Sequence, residues 1–159
     1  MIAPEPKRVL IIRLSAIGDV VFASPLVAAC KNRYPEVEID WLAEGVVRPL
    51  LTEMPGLNNV ILWPRQEWQE LWREKRFFAL ISAVAAFRRK LRARNYELVL
   101  DAQGLVKSAF LAWLTGSRQR IGFKSKEPNG VFLTDRYEKS ITPRISSEYL
   151  ALSLIHISE

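Results

Sequence analysis

A glycine–aspartate pair follows the first apolar run of the chain and is the clearest candidate for chemistry. The aliphatic run spans residues 9–12, and Ser15, Gly18 and Asp19 come soon after it. Glycine permits a tight backbone turn at a helix start, and the aspartate carboxylate can take a proton from a hydroxyl nucleophile. The alternative is that Asp19 only caps the helix, because aspartate is among the preferred capping residues. The sequence leaves these two roles about equally open.

A second polar loop contains Asp101, Gln103, Gly104 and Lys107, directly after an aliphatic run at 98–100. Gly104 allows the backbone to approach a ligand closely. The helix start that follows favours an anion, to which Lys107 would add a full charge. Asp101 and Gln103 are, on general grounds, more often loop and capping residues. Two polar strand ends that face one crevice nevertheless favour a binding site.

The elements between these loops predict a Rossmann-like doubly wound α/β domain. Five aliphatic or β-branched runs are strand candidates, at 9–12, 39–42, 60–63, 98–100 and 121–123. Helical segments separate these runs, so the connections are crossovers and the sheet is mostly parallel. Ligands of such sheets bind beyond the carboxyl ends of the strands, which is where both polar loops would lie.

Several catalytic classes are disfavoured by the motifs and residue types in the sequence. The loop after the first strand has one glycine, and Gly104 does not begin a P-loop pattern, so a nicotinamide dehydrogenase and a P-loop nucleotidase are both disfavoured. With one cysteine, Cys30, and one histidine, His156, we expect no metal site. The chemistry would then depend on carboxylates, lysines and backbone amides. The first residues show no signal-peptide pattern, which favours the cytoplasm.

The positive charge is concentrated in one segment of the chain. Between Arg65 and Arg94 there are nine basic and three acidic residues, which account for the whole formal net charge of +6. Trp63, Trp68 and Trp72 lie at the start of this segment. A solvated helix face is the common explanation, whereas bases with aromatic rings also suit a membrane surface or a phosphorylated amphiphile. Nucleic acid is the rival partner, although no nucleic-acid-binding motif is visible.

Two motifs resemble those of a known family. Residues 13–21 read Arg-Leu-Ser-Ala-Ile-Gly-Asp-Val-Val, with Pro25 shortly after, and residues 101–109 read Asp-Ala-Gln-Gly-Leu-Val-Lys-Ser-Ala. Together they are similar to motifs of the ADP-heptose:lipopolysaccharide heptosyltransferases, glycosyltransferase family 9. The second motif is most like heptosyltransferase I, and Ser-Lys-Glu-Pro at 125–128 agrees. The resemblance covers about residues 7–152.

The resemblance implies a GT-B glycosyltransferase, in which two Rossmann-like domains face a cleft, and it makes this chain the N-terminal, acceptor-binding domain. Asp19 would be the base that deprotonates a hydroxyl of Kdo on lipid A. That hydroxyl would attack the anomeric carbon of ADP-heptose with inversion, without a metal or cofactor. The residues implied to bind the acceptor are Ser15, Gly18, Arg65, Asp101, Gln103, Gly104, Lys107 and Glu127.

The same resemblance sets expectations for domains and location. We expect residues 1–152 to form the acceptor domain, 153–159 to be a tail unlike the family, and the donor domain to be absent, so that the chain alone is inactive. The expected location is the cytoplasmic face of the inner membrane, as a peripheral protein that does not bind nucleic acid. Two alternatives stay open: a non-catalytic binding module with a flavodoxin-like fold, and a basic nucleic-acid-binding domain.

Overall fold

The centre of the described part of the chain is a six-stranded parallel sheet. The computed structural model describes residues 5–123 and 128–137. The strands in chain order are β1 (Arg8–Ile12), β2 (Glu38–Ala43), β3 (Asn59–Leu62), β4 (Leu98–Asp101), β5 (Gln119–Phe123) and β6 (Asp135–Tyr137). Their order across the sheet is β3-β2-β1-β4-β5-β6, and every neighbouring pair is parallel. The expected doubly wound α/β fold is therefore confirmed.

Within the described ranges, six α-helices connect these strands. They are α1 (Ile17–Ala23), α2 (Pro25–Arg33), α3 (Arg48–Thr52), α4 (Arg65–Arg73), α5 (Phe77–Arg92) and α6 (Val106–Leu114). Pro25 is the first residue of α2, a position where a missing N–H costs no helical hydrogen bond and the fixed φ suits a helix. The proline therefore separates α1 from α2 and starts the second helix.

Alternation along β1 divides the core into two layers. Val9 and Ile11 face one layer, and Leu10 and Ile12 face the other, because successive side chains of a strand point to opposite faces. The first layer is completed by residues of α1, α2 and α3, and the second by residues of α4, α5 and α6. The side chains of residues 9–12 are all fully buried, as expected of a central parallel strand.

Two elements were not expected from the sequence. Helix α4 does carry a signal that was not used, because Trp68, Leu71 and Trp72 follow the i, i+3, i+4 spacing of an amphipathic helix, and Trp68 and Leu71 are buried. Strand β6 has three residues and lies at the edge of the sheet, next to β5. Short edge strands carry little hydrophobic pattern, so the sequence offered no usable signal for this one.

The flavodoxin-like alternative is wrong in its topology. Flavodoxin-like sheets have the order 2-1-3-4-5, whereas here β3 lies outside β2 and β4 pairs directly with β1. This is the strand order of the Rossmann fold. In that fold the order in which strands are added across the sheet reverses between β1 and β4, while all strands stay parallel. The two polar loops predicted from the sequence follow these two strands.

The structure leaves some expectations without a test. Glu127 and residues 153–159 lie outside the described residues. None of the helices in the described part of the chain has both the length and the apolar character needed to cross a membrane.

Two substitutions on α5 test which of its faces supports the fold. Leu91 is fully buried and Ile81 is 65% exposed on the same helix. We expect Leu91→Ala to lower the free energy of unfolding by about 2–5 kcal/mol, because it opens a cavity in the core, and Ile81→Ala to change it by less than about 0.5 kcal/mol. Urea denaturation measures both. Equal losses would contradict this orientation of α5.

Candidate functional site

The switch point between β1 and β4 forms a crevice at the carboxyl edge of the sheet. Ile12 and Asp101 are register partners at the ends of these strands, and the Ala102 N–H donates to the Ile12 carbonyl over 2.9 Å. The chain then leaves β1 toward α1 on one face and β4 toward α6 on the other. The two loops diverge, and a crevice between diverging loops is the usual ligand site of an open α/β sheet.

The Arg13 side chain joins the two loops of this crevice. Its guanidinium donates from Nη1 to the Ala102 carbonyl over 3.0 Å, and its Nη2 lies 2.7 Å from Asp19 Oδ2. The residue is only 8% exposed, and its own carbonyl accepts a hydrogen bond from Trp41 Nε1. A buried guanidinium needs a charged partner, so it fixes the position of the Asp19 carboxylate.

Asp19 lies inside helix α1 rather than at its cap. The N-cap of α1 is Ala16, without a side-chain capping bond, and Asp19 is the third helical residue. The capping interpretation of Asp19 is therefore wrong, because the helix starts two residues before it. The side chain keeps 40% of its surface exposed while Arg13 holds one oxygen. The result is an oriented, accessible carboxylate in the first turn of a helix, where negative charge is favoured.

Gly18 and Ser15 flank this carboxylate in ways that differ from the sequence expectation. Gly18 lies within α1 and outside the left-handed region, so no tight turn requires a glycine there. A Cβ at this position would meet nothing within 4 Å. The glycine instead leaves open space beside Asp19. Ser15 is half-buried in the loop between β1 and α1.

Asp101 is fully buried and accepts hydrogen bonds from the backbone of the loop after β4. Its Oδ1 accepts the backbone N–H groups of Gln103 and Gly104, and Ser108 Oγ lies 3.0 Å from its Oδ2. Burial raises the pKa of Asp101 to about 6, despite these hydrogen bonds and the nearby Arg13 charge. A side chain with no exposed surface cannot contact a bound sugar. We therefore interpret Asp101 as a residue that positions the loop.

Gln103 and Gly104 connect the second loop to the first. Gln103 Oε1 accepts the Leu14 N–H over 3.1 Å, which ties the loop after β4 to the loop after β1. Gly104 has a φ of +75°, a left-handed conformation that glycine adopts without strain. The sequence analysis gave Gly104 a role in close approach to a ligand, and the structure shows that its backbone conformation also favours glycine. Both residues are half-buried at the crevice.

Lys107 and Arg65 lie on the side of the crevice nearest β3. Lys107 Nζ lies 5.9 Å from the centre of the Trp63 ring, a cation–π distance, and Arg65 Nη1 lies 3.1 Å from Glu44 Oε1. Trp63 directly follows β3, and Glu44 directly follows β2. The two bases therefore form a cationic rim along the same edge of the sheet as Asp19.

An apolar groove of about 620 Å³ opens beside this rim, between α4, α5 and α6. Its aromatic and aliphatic lining residues include Trp63, Trp68, Trp72, Leu80, Val84 and Phe110. The carboxylates and the cysteine of the described residues form no group of three or more able to hold a metal ion.

The sequence reasoning singled out the motif that begins at Arg13 but gave this residue no role, and it overlooked Glu44. Both could have been noticed, because each is a charged residue that directly follows a strongly apolar strand. Their partners are distant in sequence, because the residue numbers of Arg13 and Ala102 differ by 89 and those of Arg65 and Glu44 by 21. No local pattern shows such pairs.

Comparisons with known proteins identify relatives of this chain. The family model for glycosyltransferase family 9 (heptosyltransferase) matches residues 84–153. Lipopolysaccharide heptosyltransferase 1 of Escherichia coli K12 is 37% identical over 105 residues, and that of Pseudomonas aeruginosa is 29% identical over 133 residues. The chain is homologous to part of the family 9 heptosyltransferases. The resemblance noted from the two motifs is confirmed.

Solved heptosyltransferase structures show the same architecture. The E. coli heptosyltransferase WaaC with ADP-2-deoxy-2-fluoro heptose superposes with a TM-score of 0.79 at 27% identity, covering 93% of this chain and 47% of that one. The family 9 glycosyltransferase of Veillonella parvula superposes with a TM-score of 0.74 at 17% identity, which supports the fold alone. The α/β architecture expected of a GT-B heptosyltransferase domain is thus confirmed.

These relatives are much longer than the chain. It spans 32% of the E. coli K12 heptosyltransferase 1 and 34% of the P. aeruginosa one, and the matches cover 65% and 76% of this chain. Neither the family model nor these relatives favour a nucleic-acid-binding domain or a non-catalytic module.

Replacement of Asp101 tests its buried carboxylate through the pH dependence of stability. The folded-state pKa of about 6 exceeds the ordinary value of 3.8, so ionisation costs folding free energy as the pH rises from about 4 to about 6. Asparagine cannot ionise, and its amide can donate to Ser108 Oγ. We expect the free energy of unfolding of Asp101→Asn to rise relative to wild type between about pH 4 and pH 7.

Urea denaturation at both pH values measures this difference. Glu36→Gln, which alters an exposed carboxylate, serves as the control and should show little change relative to wild type. If the free energies of unfolding of Asp101→Asn and wild type differ by the same amount at both pH values, the pKa of Asp101 is not raised by burial.

Proposed function

We propose that this chain is the N-terminal, acceptor-binding domain of a heptosyltransferase that acts on Kdo of lipid A. The observation that carries the proposal is the Asp19 carboxylate, oriented by Arg13 and 40% exposed at the crevice between β1 and β4. The homology to part of the family 9 heptosyltransferases supplies the reaction class. Residues up to 152 form the acceptor domain in this proposal, and a second domain binds ADP-heptose.

In the proposed reaction Asp19 is the general base. A hydroxyl of Kdo donates a hydrogen bond to the Asp19 carboxylate, and its oxygen attacks the anomeric carbon of the heptose. The proton moves to the carboxylate as the new carbon–oxygen bond forms. The bond between the anomeric carbon and the ADP oxygen breaks with its electron pair, and ADP leaves as the sugar inverts its configuration.

Arg13 is the positioning residue of this step. It holds Asp19 Oδ2 at 2.7 Å and is itself held to the end of β4 through the Ala102 carbonyl. The carboxylate is therefore fixed relative to both strands before any ligand binds. A reacting group held in a defined geometry avoids the entropic cost of finding it during the reaction.

The cationic rim supplies acceptor binding. Arg65 and Lys107 lie on the β3 side of the crevice, and each keeps part of its side chain at the surface. Phosphates and carboxylates of a Kdo–lipid A headgroup carry the opposite charge, and Arg forms paired hydrogen bonds with such groups. We propose that this rim meets the acceptor while Ser15, Gly18, Gln103 and Gly104 border the reacting sugar.

The lipid acceptor also sets the location in this proposal. The protein would work at the cytoplasmic face of the inner membrane as a peripheral protein.

The identity to E. coli heptosyltransferase 1, 37% over 105 residues, compares with 26% over 147 residues for E. coli heptosyltransferase 2. This difference favours Kdo over heptose as the acceptor sugar.

Substitution of Asp19 tests the proposal. In a protein that joins this chain to a donor-binding domain, we expect Asp19→Asn to lower turnover about 10²- to 10⁴-fold, because the amide cannot accept the proton. Acceptor affinity should change less than about threefold, since the amide keeps a hydrogen-bonding oxygen. Release of ADP from ADP-heptose measures turnover.

Glu67→Gln is the matched control, because it removes an exposed carboxylate on α4, and it should keep wild-type turnover. The 159-residue chain without a donor domain sets the background and should show no turnover. Wild-type turnover in Asp19→Asn would remove Asp19 from the reaction. Turnover by the chain alone would contradict its assignment as the acceptor half.

A further inference from the structure

An exposed apolar surface lies where α4 turns into α5. Trp72, Phe77, Phe78 and Ile81 are 64%, 47%, 90% and 65% exposed, and we call these four residues the hairpin tip. The Trp72 and Phe77 rings contact each other edge to face with centroids 5.4 Å apart, which joins the two helices across the turn. Large apolar side chains grouped at a surface mark an interaction site rather than ordinary exposure.

The turn between the helices surrounds the hairpin tip with positive charge. Arg73, Lys75 and Arg76 are all exposed here. Glu74 is the acid of this turn, and it lies 3.6 Å from Arg76 in a solvent-exposed ion pair. Rings that penetrate an interface, with bases beside them, are the pattern of proteins that lie on anionic membrane surfaces.

The outer face of α5 continues the same pattern along the helix. Phe78, Ile81 and Ala85 follow one another at i, i+3 and i+7, and Arg88 and Arg92 extend the same exposed stripe. At 1.5 Å per residue, Phe78 and Arg88 are about 15 Å apart along the axis. An apolar end and a basic end therefore share one face of the helix.

The hairpin tip lies at the edge of the sheet that carries the crevice. Leu80 and Val84, in the first half of α5, line a groove together with Trp63, which directly follows the carboxyl end of β3. The other end of α5 lies near the amino end of β1, where Arg8 Nη1 donates to the Arg94 carbonyl. A membrane at the hairpin tip would thus face the same edge as Asp19 and Lys107.

We propose that the hairpin tip docks on an anionic lipid bilayer, with its rings and Ile81 inserted at the headgroup boundary and the surrounding bases on lipid phosphates. This rests on the proposed function, in which the acceptor sugar is carried by a lipid. Docking at this edge would bring the crevice to the headgroup. Charge selects this occupant, since Arg73, Lys75 and Arg76 outnumber Glu74 around the hairpin tip, and a second copy of the chain would oppose these bases with its own.

Vesicle flotation of the 159-residue chain tests the docking surface. The vesicles contain phosphatidylcholine alone or phosphatidylcholine with about one third phosphatidylglycerol. We expect binding to the anionic vesicles, which weakens with salt, and at least tenfold weaker binding for the double variant Phe78→Ser/Ile81→Ser. The exposed positions make loss of folding unexpected, and circular dichroism verifies this.

Two further variants separate the contribution of the apolar side chains at the hairpin tip from that of the neighbouring bases. Val46→Ser/Val131→Ser removes two exposed apolar side chains elsewhere, 67% and 80% exposed, and should bind within about twofold of wild type. Arg73→Glu/Arg76→Glu should abolish the preference for anionic over neutral vesicles. Wild-type affinity in Phe78→Ser/Ile81→Ser, equal affinity of the wild-type chain for both kinds of vesicle, or no binding to either, would overturn the proposal.

Binding of a deacylated, soluble Kdo–lipid A headgroup distinguishes the two proposals. If the chain binds this saccharide but no vesicle, the docking surface is wrong and the acceptor function stands. If it binds anionic vesicles through the hairpin tip but not the saccharide, docking stands and the acceptor function is wrong. We expect Phe78→Ser/Ile81→Ser to lose vesicle binding and to keep its affinity for the saccharide.

Discussion

One nearly buried guanidinium connects the two halves of the sheet at the point where its topology reverses. Arg13 donates to the carbonyl of Ala102, directly after β4, and pairs with the Asp19 carboxylate in the first turn of α1, so both divergent loops are fixed through one side chain. Its Nε is buried without a hydrogen-bond partner among the described residues, which makes the remaining contacts more important. Removing the partner of a buried charge costs several kcal/mol, so the arrangement holds Asp19 firmly in place.

Other buried polar contacts keep the same two loops in register. Trp41 on β2 donates to the Arg13 carbonyl and holds the first loop, and Gln103 accepts from Leu14, which joins the second loop to the first. Asp101 remains buried although burial disfavours its charge, and it holds the backbone of the second loop. The crevice is therefore formed by the fold itself before a ligand arrives. In the function we propose, such a preformed crevice would bind the acceptor while a separate domain binds the donor.

The sequence was informative where burial is strong and local. Residues 9–12 and 98–100 are apolar on both faces, which is the signature of central parallel strands, and the polar residues after them were correctly expected to meet at one edge. The roles of these residues were harder to foresee. Asp19 lies in the helix after β1 and Asp101 is the last residue of β4, yet the Asp19 side chain is 40% exposed and Asp101 is fully buried. That difference depends on Arg13, Gln103 and Ser108 folding onto them, and no sequence pattern encodes such contacts.

The hairpin tip and the crevice account for part of the uneven charge of this chain. In our account Arg65 serves the surface for the acceptor headgroup, and Arg73, Lys75 and Arg76 serve the surface for the bilayer that carries it. Both lie at the carboxyl edge of the sheet, while the opposite edge, around Tyr96 and Thr115, has no assigned ligand.

The most direct measurement of the central claim is a backbone amide chemical-shift map of this chain titrated with the deacylated Kdo–lipid A headgroup. Our account predicts that the largest shifts fall on the loops that follow β1 and β4, around Asp19 and Gln103. Shifts confined to the amino edge of the sheet, around Tyr96 and Thr115, would contradict the assignment of the crevice as the acceptor site.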